Sequence, residues 1–256
     1  MPQELRWPTR LWIVRHGESA GNVARDAADA AGLTHIDIAT RDVDVPLSAL
    51  GERQSEALGQ WFRAMPAAAR PNVVLSSPYV RARRTAEIVR GAAGLATDEP
   101  SFVFDERLRE KEFGVLDRLT RAGIERIHPD QAQFRTLLGK FYHRPPGGES
   151  WCDVILRLRS IVDTISRDYH GERVLVVCHQ VIVLCMCYLL ERMTEEEILT
   201  IDRAGDVANC SVTAYAYDPT VGQDGSLVLE AYNFVAPLEV EGAPVTSEPD
   251  APAGIK

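Results

Sequence analysis

Short apolar runs punctuate this chain, and each ends on polar or charged residues. Leu11-Trp12-Ile13-Val14, Val73-Val74-Leu75 and Val174-Leu175-Val176-Val177-Cys178 are continuous and rich in β-branched residues. That is the pattern of strands buried on both faces. Phe102-Val103-Phe104 is a further strand candidate. Helical spacing fills the intervals. An alanine-rich stretch predicts a helix from about Ser19 to Ala31. Ser48 has N-cap chemistry, and Leu50, Ala57, Leu58, Trp61 and Phe62 behind it mostly share one helical face. Ser77-Pro78 predicts another helix start, with the helix running to about Val89 and stopped by Gly91 and Gly94.

Ser150 with Asp153 reads as a capping-box variant opening a helix over 151–168. A helix over 181–192 follows the 174–178 strand, and Thr194 with Glu197 caps a shorter one. Val212–Tyr217 and Leu227–Phe234 alternate like strands around a glycine-containing turn. Residues 32–47 read as loop and Pro145–Gly148 as a turn. Residues 115–144 read as short helices and loops broken by Gly123, Pro129 and Gly139. Strands alternating with helices imply an α/β protein whose mainly parallel sheet is covered on both faces. No long linker precedes residue 235. The reading is one domain over 1–235 and a proline-rich flexible tail over 236–256.

Composition narrows the function classes. The 256 residues are 45% apolar and 25% charged, with a formal net charge of -9. This balance argues against nucleic-acid binding, which wants a basic face. It leaves room for a small anionic substrate held by a local cluster of arginines. The five cysteines are odd in number and form no Cys-x-x-Cys, so free thiols in a reducing compartment, the cytoplasm, are expected. No signal peptide is visible, and the 174–190 stretch is too short to cross a membrane.

The candidate chemistry lies where the apolar runs end. Arg15-His16-Gly17-Glu18 follows the first run, and His179 ends the 174–178 run in the same way. Ligands of open α/β sheets bind outside the carboxyl ends of the strands. The two imidazoles are therefore placed to meet across one pocket. Asn22 lies a turn into a helix whose N-terminus favours an anion. Arg81 sits in a helix first turn, where a cation is unfavourable unless an anion is near. A carboxyl beside such a site could protonate a leaving oxygen, and Glu106, Glu110 and Glu112 compete for that role. Taken singly, each feature has a plainer explanation: a solvated strand end, a charged surface loop, a buried histidine satisfied by backbone. His35, His128, His143 and His170 lie in polar segments, and no spacing favours a metal.

Taken together, the motifs resemble the histidine phosphatase superfamily, the phosphoglycerate mutase-like group. Arg15-His16-Gly17-Glu18-Ser19 with Asn22 opens the set. Asp44-Val45-Pro46-Leu47-Ser48 with Gly51, and Ser76-Ser77-Pro78 with Arg81-Ala82 and Thr85-Ala86, come next. Glu110 four before Gly114, Pro146-Gly147-Gly148-Glu149-Ser150, Val177-Cys178-His179 and Asn209-Cys210-Ser211-Val212 complete it. The likeness spans about residues 11–234, in order.

The resemblance implies a three-layer α/β/α sandwich and a metal-independent phosphomonoester hydrolase acting on small phosphorylated metabolites without a cofactor. It implies that His16 becomes a phosphohistidine, that Arg15, Arg81 and His179 hold the phosphoryl oxygens with help from Asn22, and that Glu110 is the proton donor. Gln180 replaces a common glycine, as in the domain that removes the 2-phosphate from fructose 2,6-bisphosphate. Lys140, His143 and Arg144 look similar to that domain's substrate-binding segment. Arg118 stands where many members have glycine, and Leu184 where many have arginine. Residues 115–148 are expected to roof the pocket. Phosphoglycerate mutases of this group carry extra basic residues after the catalytic Glu, often a paired Arg-Arg. Here Arg118, Arg121, Arg126, Arg135, Lys140 and Arg144 are scattered. The alternatives are such a mutase or a non-catalytic member that binds phosphorylated ligands. A homodimer is compatible with the sequence.

Overall fold

The computed structural model describes residues 6–95, 101–222 and 224–247. Its centre is a six-stranded sheet: β1 (Arg10–Arg15), β2 (Val73–Ser76), β3 (Ser101–Phe104), β4 (Arg173–Cys178), β5 (Val212–Asp218) and β6 (Ser226–Phe234), in the order β3-β2-β4-β1-β5-β6. The first four strands in that order run parallel, and the β5–β6 hairpin adds an antiparallel edge. The expected sandwich with a mostly parallel sheet is what forms.

Alternation along the two central strands builds both cores. Leu11 and Ile13 of β1 and Val174, Val176 and Cys178 of β4 face one layer, with α6 (Trp151–Asp168) and α7 (Gln180–Leu190). Trp12 and Val14, with Leu175 and Val177, face the other, with α2 (Ala49–Ala64) and α3 (Val80–Ala93). Neither face touches water, which is why these strands read as unbroken apolar runs. Each fully buried Leu, Ile or Val contributes roughly 1.5–3 kcal/mol of transfer free energy.

The caps at Ser48, Ser150 and Thr194 form as predicted, and Ser19 supplies a further one. They open α1 (Ala20–Ala30), α2, α6 and α8 (Glu195–Ala204), with capping boxes at Ser19, Ser150 and Thr194. Ser77-Pro78 does not open α3. That helix starts at Val80 with Tyr79 as N-cap, and it runs through Gly91 to a left-handed cap at Gly94. Between α3 and α6 lie α4 (Arg121–Ile127) and α5 (Pro129–Tyr142), the latter kinked at Gly139.

The tail reading needs correction for 236–247. Here α9 (Ala236–Val240) packs on α2 with Leu238 fully buried, and residues 244–246 hydrogen-bond to the domain. Pro237, Leu238, a partly buried Ala243 and a few hydrogen bonds dock this segment, too little for a periodic signal. Residues 248–256 lie outside the described residues.

Candidate active site

Parallel pairing of β1 with β4 brings the two histidines together. Arg15 pairs with Cys178 in register, and the next backbone N–H, that of His16, donates to the Cys178 carbonyl at 2.9 Å. The imidazoles of His16 and His179 lie 5.1 Å apart, centroid to centroid, at 65°. Both are buried.

His16 is held by its neighbours' backbone. Its Nδ1 lies 2.7 Å from the Gly17 carbonyl, so Nδ1 carries the proton and Nε2 the lone pair. The Arg81 Nε–H donates to that Nε2 at 3.2 Å. The Gly17 N–H donates to Thr85 Oγ1 at 3.0 Å, the Glu18 N–H to Gln54 Oε1 at 2.9 Å, and Asn209 Nδ2 to the His16 carbonyl at 3.0 Å. Gly17 and Gly51 permit the close approach of α2. A Cβ on Gly51 would stand 2.0 Å from the Glu18 carbonyl oxygen.

Electrostatics keep both imidazoles neutral. Burial, then the charges of Arg81 and Arg15, push His16 well below the usual imidazole range, against a smaller opposing effect of the Gly17 hydrogen bond. Burial first, then Arg81, His16 and Arg15, do the same to His179. His179 Nε2 lies 2.8 Å from Ser77 Oγ, and its buried Nδ1 has no hydrogen-bond partner among the described residues.

His16 borders a cleft enclosing about 730 Å³ of space, including its mouth, whereas His179 is fully buried beside His16 and is not among the residues that line it. Arg15, His16, Asn22, Arg81 and Glu110 all line it. Asn22 Oδ1 is occupied by the Ser19 capping box, which leaves its amide NH₂ for the cleft. The geometry separates the three acids. Glu110 is buried at the cleft wall, Glu106 is exposed, and Glu112 accepts the Tyr79 hydroxyl at 2.8 Å.

The Glu110 segment is pinned from behind. Arg157 donates to the carbonyls of Arg107 at 2.5 Å and Glu110 at 3.2 Å, and to Glu149 at 2.9 Å. Arg109 donates to the same carboxylate at 3.0 Å. Burial alone would raise the pKa of Glu149, but the Arg157 hydrogen bond and charge outweigh it and hold that carboxyl below the usual range.

Several expected ligands lie elsewhere. Lys140 Nζ is bound to both carboxylate oxygens of Asp202 at 2.6 and 2.7 Å. Arg144 pairs with Asp153 on the surface. His143 is buried with Nε2 3.3 Å from Gln131 Oε1, and Gln180 donates to Asp206 at 2.8 Å. None of these four residues lines the cleft. Nor do residues 119–148 roof it. Phe113, Asp117 and Arg118 form one wall, and Ile36, Ile38, Thr40, Asp42 and Val45 of the 32–47 loop form another.

Apart from Val45, which falls in the Asp44–Ser48 motif, that second wall carried no sequence signal, being a mixed polar stretch without period. Its most consequential member is Asp42, whose carboxylate holds Arg81 Nη1 and Nη2 at 3.0 and 3.2 Å. This is the anion that makes a cation tolerable in the first turn of α3. Arg118 adopts φ +59°, which explains why glycine suits that position.

A mostly parallel α/β sheet with two neutral histidines and two arginines at its carboxyl edge makes an anion-handling site. The chain belongs to the histidine phosphatase superfamily, branch 1, whose family model matches residues 11–223. It is 28% identical over 233 residues to "Probable phosphoglycerate mutase GpmB" of Yersinia enterocolitica, covering 90% of this chain and 95% of that protein. Among solved structures, Bacillus stearothermophilus YhfR superposes with a TM-score of 0.69 at 26% identity, over 90% of this chain and 98% of that one. A mycobacterial glucosyl-3-phosphoglycerate phosphatase, solved with inorganic phosphate, shares the fold, with a TM-score of 0.65 at 23% identity over 90% and 99% of the two chains.

Among the described residues, no helix is long and apolar enough to cross a membrane. Burial pushes the Cys178 and Cys210 thiols up, Cys210 to about 12, which suits packing rather than nucleophilic roles.

Proposed function

We propose that the protein hydrolyses small phosphomonoesters without a metal, through a phosphohistidine at His16. The observation that carries this reading is the tautomer of His16. Nδ1 is committed to the Gly17 carbonyl, and Nε2 carries its lone pair beside Arg81 at the cleft. A neutral imidazole so placed is a nucleophile at neutral pH.

In the first step Nε2 attacks phosphorus and the bond from phosphorus to the ester oxygen breaks. That oxygen takes its proton from the Glu110 carboxyl. Arg15, Arg81 and Asn22, which line the cleft, then oppose the charge on the phosphoryl oxygens, and the Nδ1–H of His179, whose ring lies 5.1 Å from that of His16 and whose Nδ1 has no partner among the described residues, supplies a further donor. In the second step the Glu110 carboxylate takes a proton from water. The oxygen of that water attacks phosphorus and the N–P bond breaks, which restores His16. Splitting the transfer in this way gives two easier displacements.

Hydrolysis is favoured over mutase action because Arg118 lines the cleft while Arg121, Arg126, Arg135, Lys140 and Arg144 do not. A mutase must hold a second anionic group through two transfers. The names of the relatives, one a mutase and one a sugar-phosphoglycerate phosphatase, fit substrates of this size.

The test is turnover of p-nitrophenyl phosphate in EDTA. Wild type should be active and His16→Ala inactive, with ³²P trapped on wild type in acid-labile form. Activity that needs added metal, or that survives in His16→Ala, overturns the mechanism. With 3-phosphoglycerate, release of phosphate without 2-phosphoglycerate separates hydrolase from mutase.

A further inference from the structure

The peptide units on either side of Gly17 are gripped by two buried amides. Asn209 Nδ2 donates to the His16 carbonyl, and Gln54 Oε1 accepts from the Glu18 N–H. A grip of this kind works only if each amide points the right way, since a flipped Asn209 would set oxygen against the His16 carbonyl oxygen and a flipped Gln54 would set NH₂ against the Glu18 N–H. One hydroxyl links the two. Thr246 Oγ1 donates to Asn209 Oδ1 at 3.0 Å and accepts from Gln54 Nε2 at 2.9 Å.

The chain around Thr246 is itself tied down. The Asn209 N–H donates to the Thr246 carbonyl at 2.8 Å, and Gln54 Nε2 also reaches the Pro244 carbonyl at 2.9 Å. Leu238 anchors the start of this segment, buried against α2.

We propose that residues 236–246 form a clamp on the His16 loop and that Thr246 is a positioning residue of the reaction. The inference rests on His16 being the nucleophile. It acts through the Gly17 peptide, whose carbonyl sets the His16 tautomer. If the two amides lose their polarity, the Gly17 unit can rotate and Nε2 drifts from its line of attack. A displacement of about 1 Å from a reactive geometry costs on the order of 100-fold in rate.

The test compares Thr246→Val, Thr246→Ser and wild type in single-turnover formation of the phosphoenzyme. Rates are normalised to the folded fraction from circular dichroism, so that a loss of stability does not pass for a loss of positioning. Thr246→Val should slow phosphoenzyme formation at least about tenfold. KM and the inhibition constant of inorganic phosphate should stay within about twofold, because the groups that bind the anion are untouched. Thr246→Ser should restore the rate, since it returns a hydroxyl that donates and accepts. The ¹⁵N shifts of His16 should show the Nδ1–H form in wild type and a tautomer mixture in Thr246→Val. A normalised Thr246→Val rate equal to wild type, or a slow rate that Thr246→Ser does not rescue, overturns the clamp. Activity in His16→Ala would instead overturn the underlying mechanism, so the two failures are distinct.

Discussion

Arg81 divides its donors between Asp42 and His16. Both terminal nitrogens hold the Asp42 carboxylate, at 3.0 and 3.2 Å, while Nε–H points at His16 Nε2 at 3.2 Å. The guanidinium that faces the reacting nitrogen is thus oriented by a carboxylate of the cleft wall. This anion lies within one side chain of the place where a phosphoryl group would carry its charge.

Asp42 should therefore weaken binding of phosphate esters. Its side chain is 42% exposed, so solvent screens the pair with Arg81. The competing interaction is worth about 1 kcal/mol or less. Asp42→Asn should lower KM for p-nitrophenyl phosphate, and the inhibition constant of inorganic phosphate, by up to about fivefold. kcat should change little, because Arg81 keeps its bond to the Asp42 backbone carbonyl at 2.6 Å. A rise in KM would show that Asp42 orients Arg81 more than it competes with the substrate.

Ser77 should set the tautomer of His179. Its oxygen accepts from the Tyr79 N–H at 3.3 Å, which leaves its own proton for His179 Nε2 at 2.8 Å. Nδ1 then carries the ring proton, and it is the atom without a partner among the described residues. Ser77→Ala releases that preference. kcat/KM should fall by about tenfold, short of the roughly hundredfold loss from deleting a stabilising donor outright. Ser77→Thr keeps the hydroxyl and should retain most activity. Ring ¹⁵N shifts of His179 check the tautomer directly.

The split between what sequence reasoning reached and what it missed follows from range. β1 and β4 were legible because full burial on both faces leaves no polar position in the run. Arg15, His16, Arg81 and His179 were legible because they sit at fixed offsets from strand and helix ends. The choice of Glu110 over Glu106 and Glu112 came from resemblance, and the cleft geometry agrees with it. The wall of Ile36, Ile38, Thr40 and Asp42 was invisible because it is built by a loop without period. Lys140 and Arg144 were misplaced because charge in a sequence does not show its partner. Asp202 lies 62 positions from Lys140, and only the fold brings it there. Thr246 was missed because a single hydroxyl beyond the last strand leaves no pattern.

The depressed imidazoles predict a pH-dependent stability. Folded His16 and His179 resist protonation well below 6.5, the value an unfolded histidine keeps. As pH falls through 6.5 the unfolded state gains protons that the folded state cannot take, so stability drops. The slope is about 1.4 kcal/mol per pH unit for each such group, until the folded pKa is reached. Urea unfolding at pH 7.5, 6.0 and 5.0 measures it, since m-values and midpoints give the free energy at each pH. His16→Gln should remove roughly 1.4 kcal/mol per pH unit from that slope. An unchanged slope would mean that folded His16 titrates normally.

Lys140 separates a structural cation from a substrate ligand. Its ammonium is held by Asp202, whose side chain is 8% exposed, and it lies 5.2 Å from the centre of the Trp151 ring. Neither partner borders the cleft. Lys140→Met keeps most of the volume and the contact with Trp151 but removes the charge that offsets a buried carboxylate. The loss of that charge-assisted bond should cost about 2 kcal/mol. For a domain this large that lowers Tm by roughly 4–8 °C. Activity at 20 °C should be unaffected, with KM for p-nitrophenyl phosphate and for any sugar phosphate the enzyme accepts within about twofold of wild type. A KM rise of about tenfold or more, with Tm unchanged, would return Lys140 to the substrate. It would require the α5–α6 segment to swing onto the cleft during turnover.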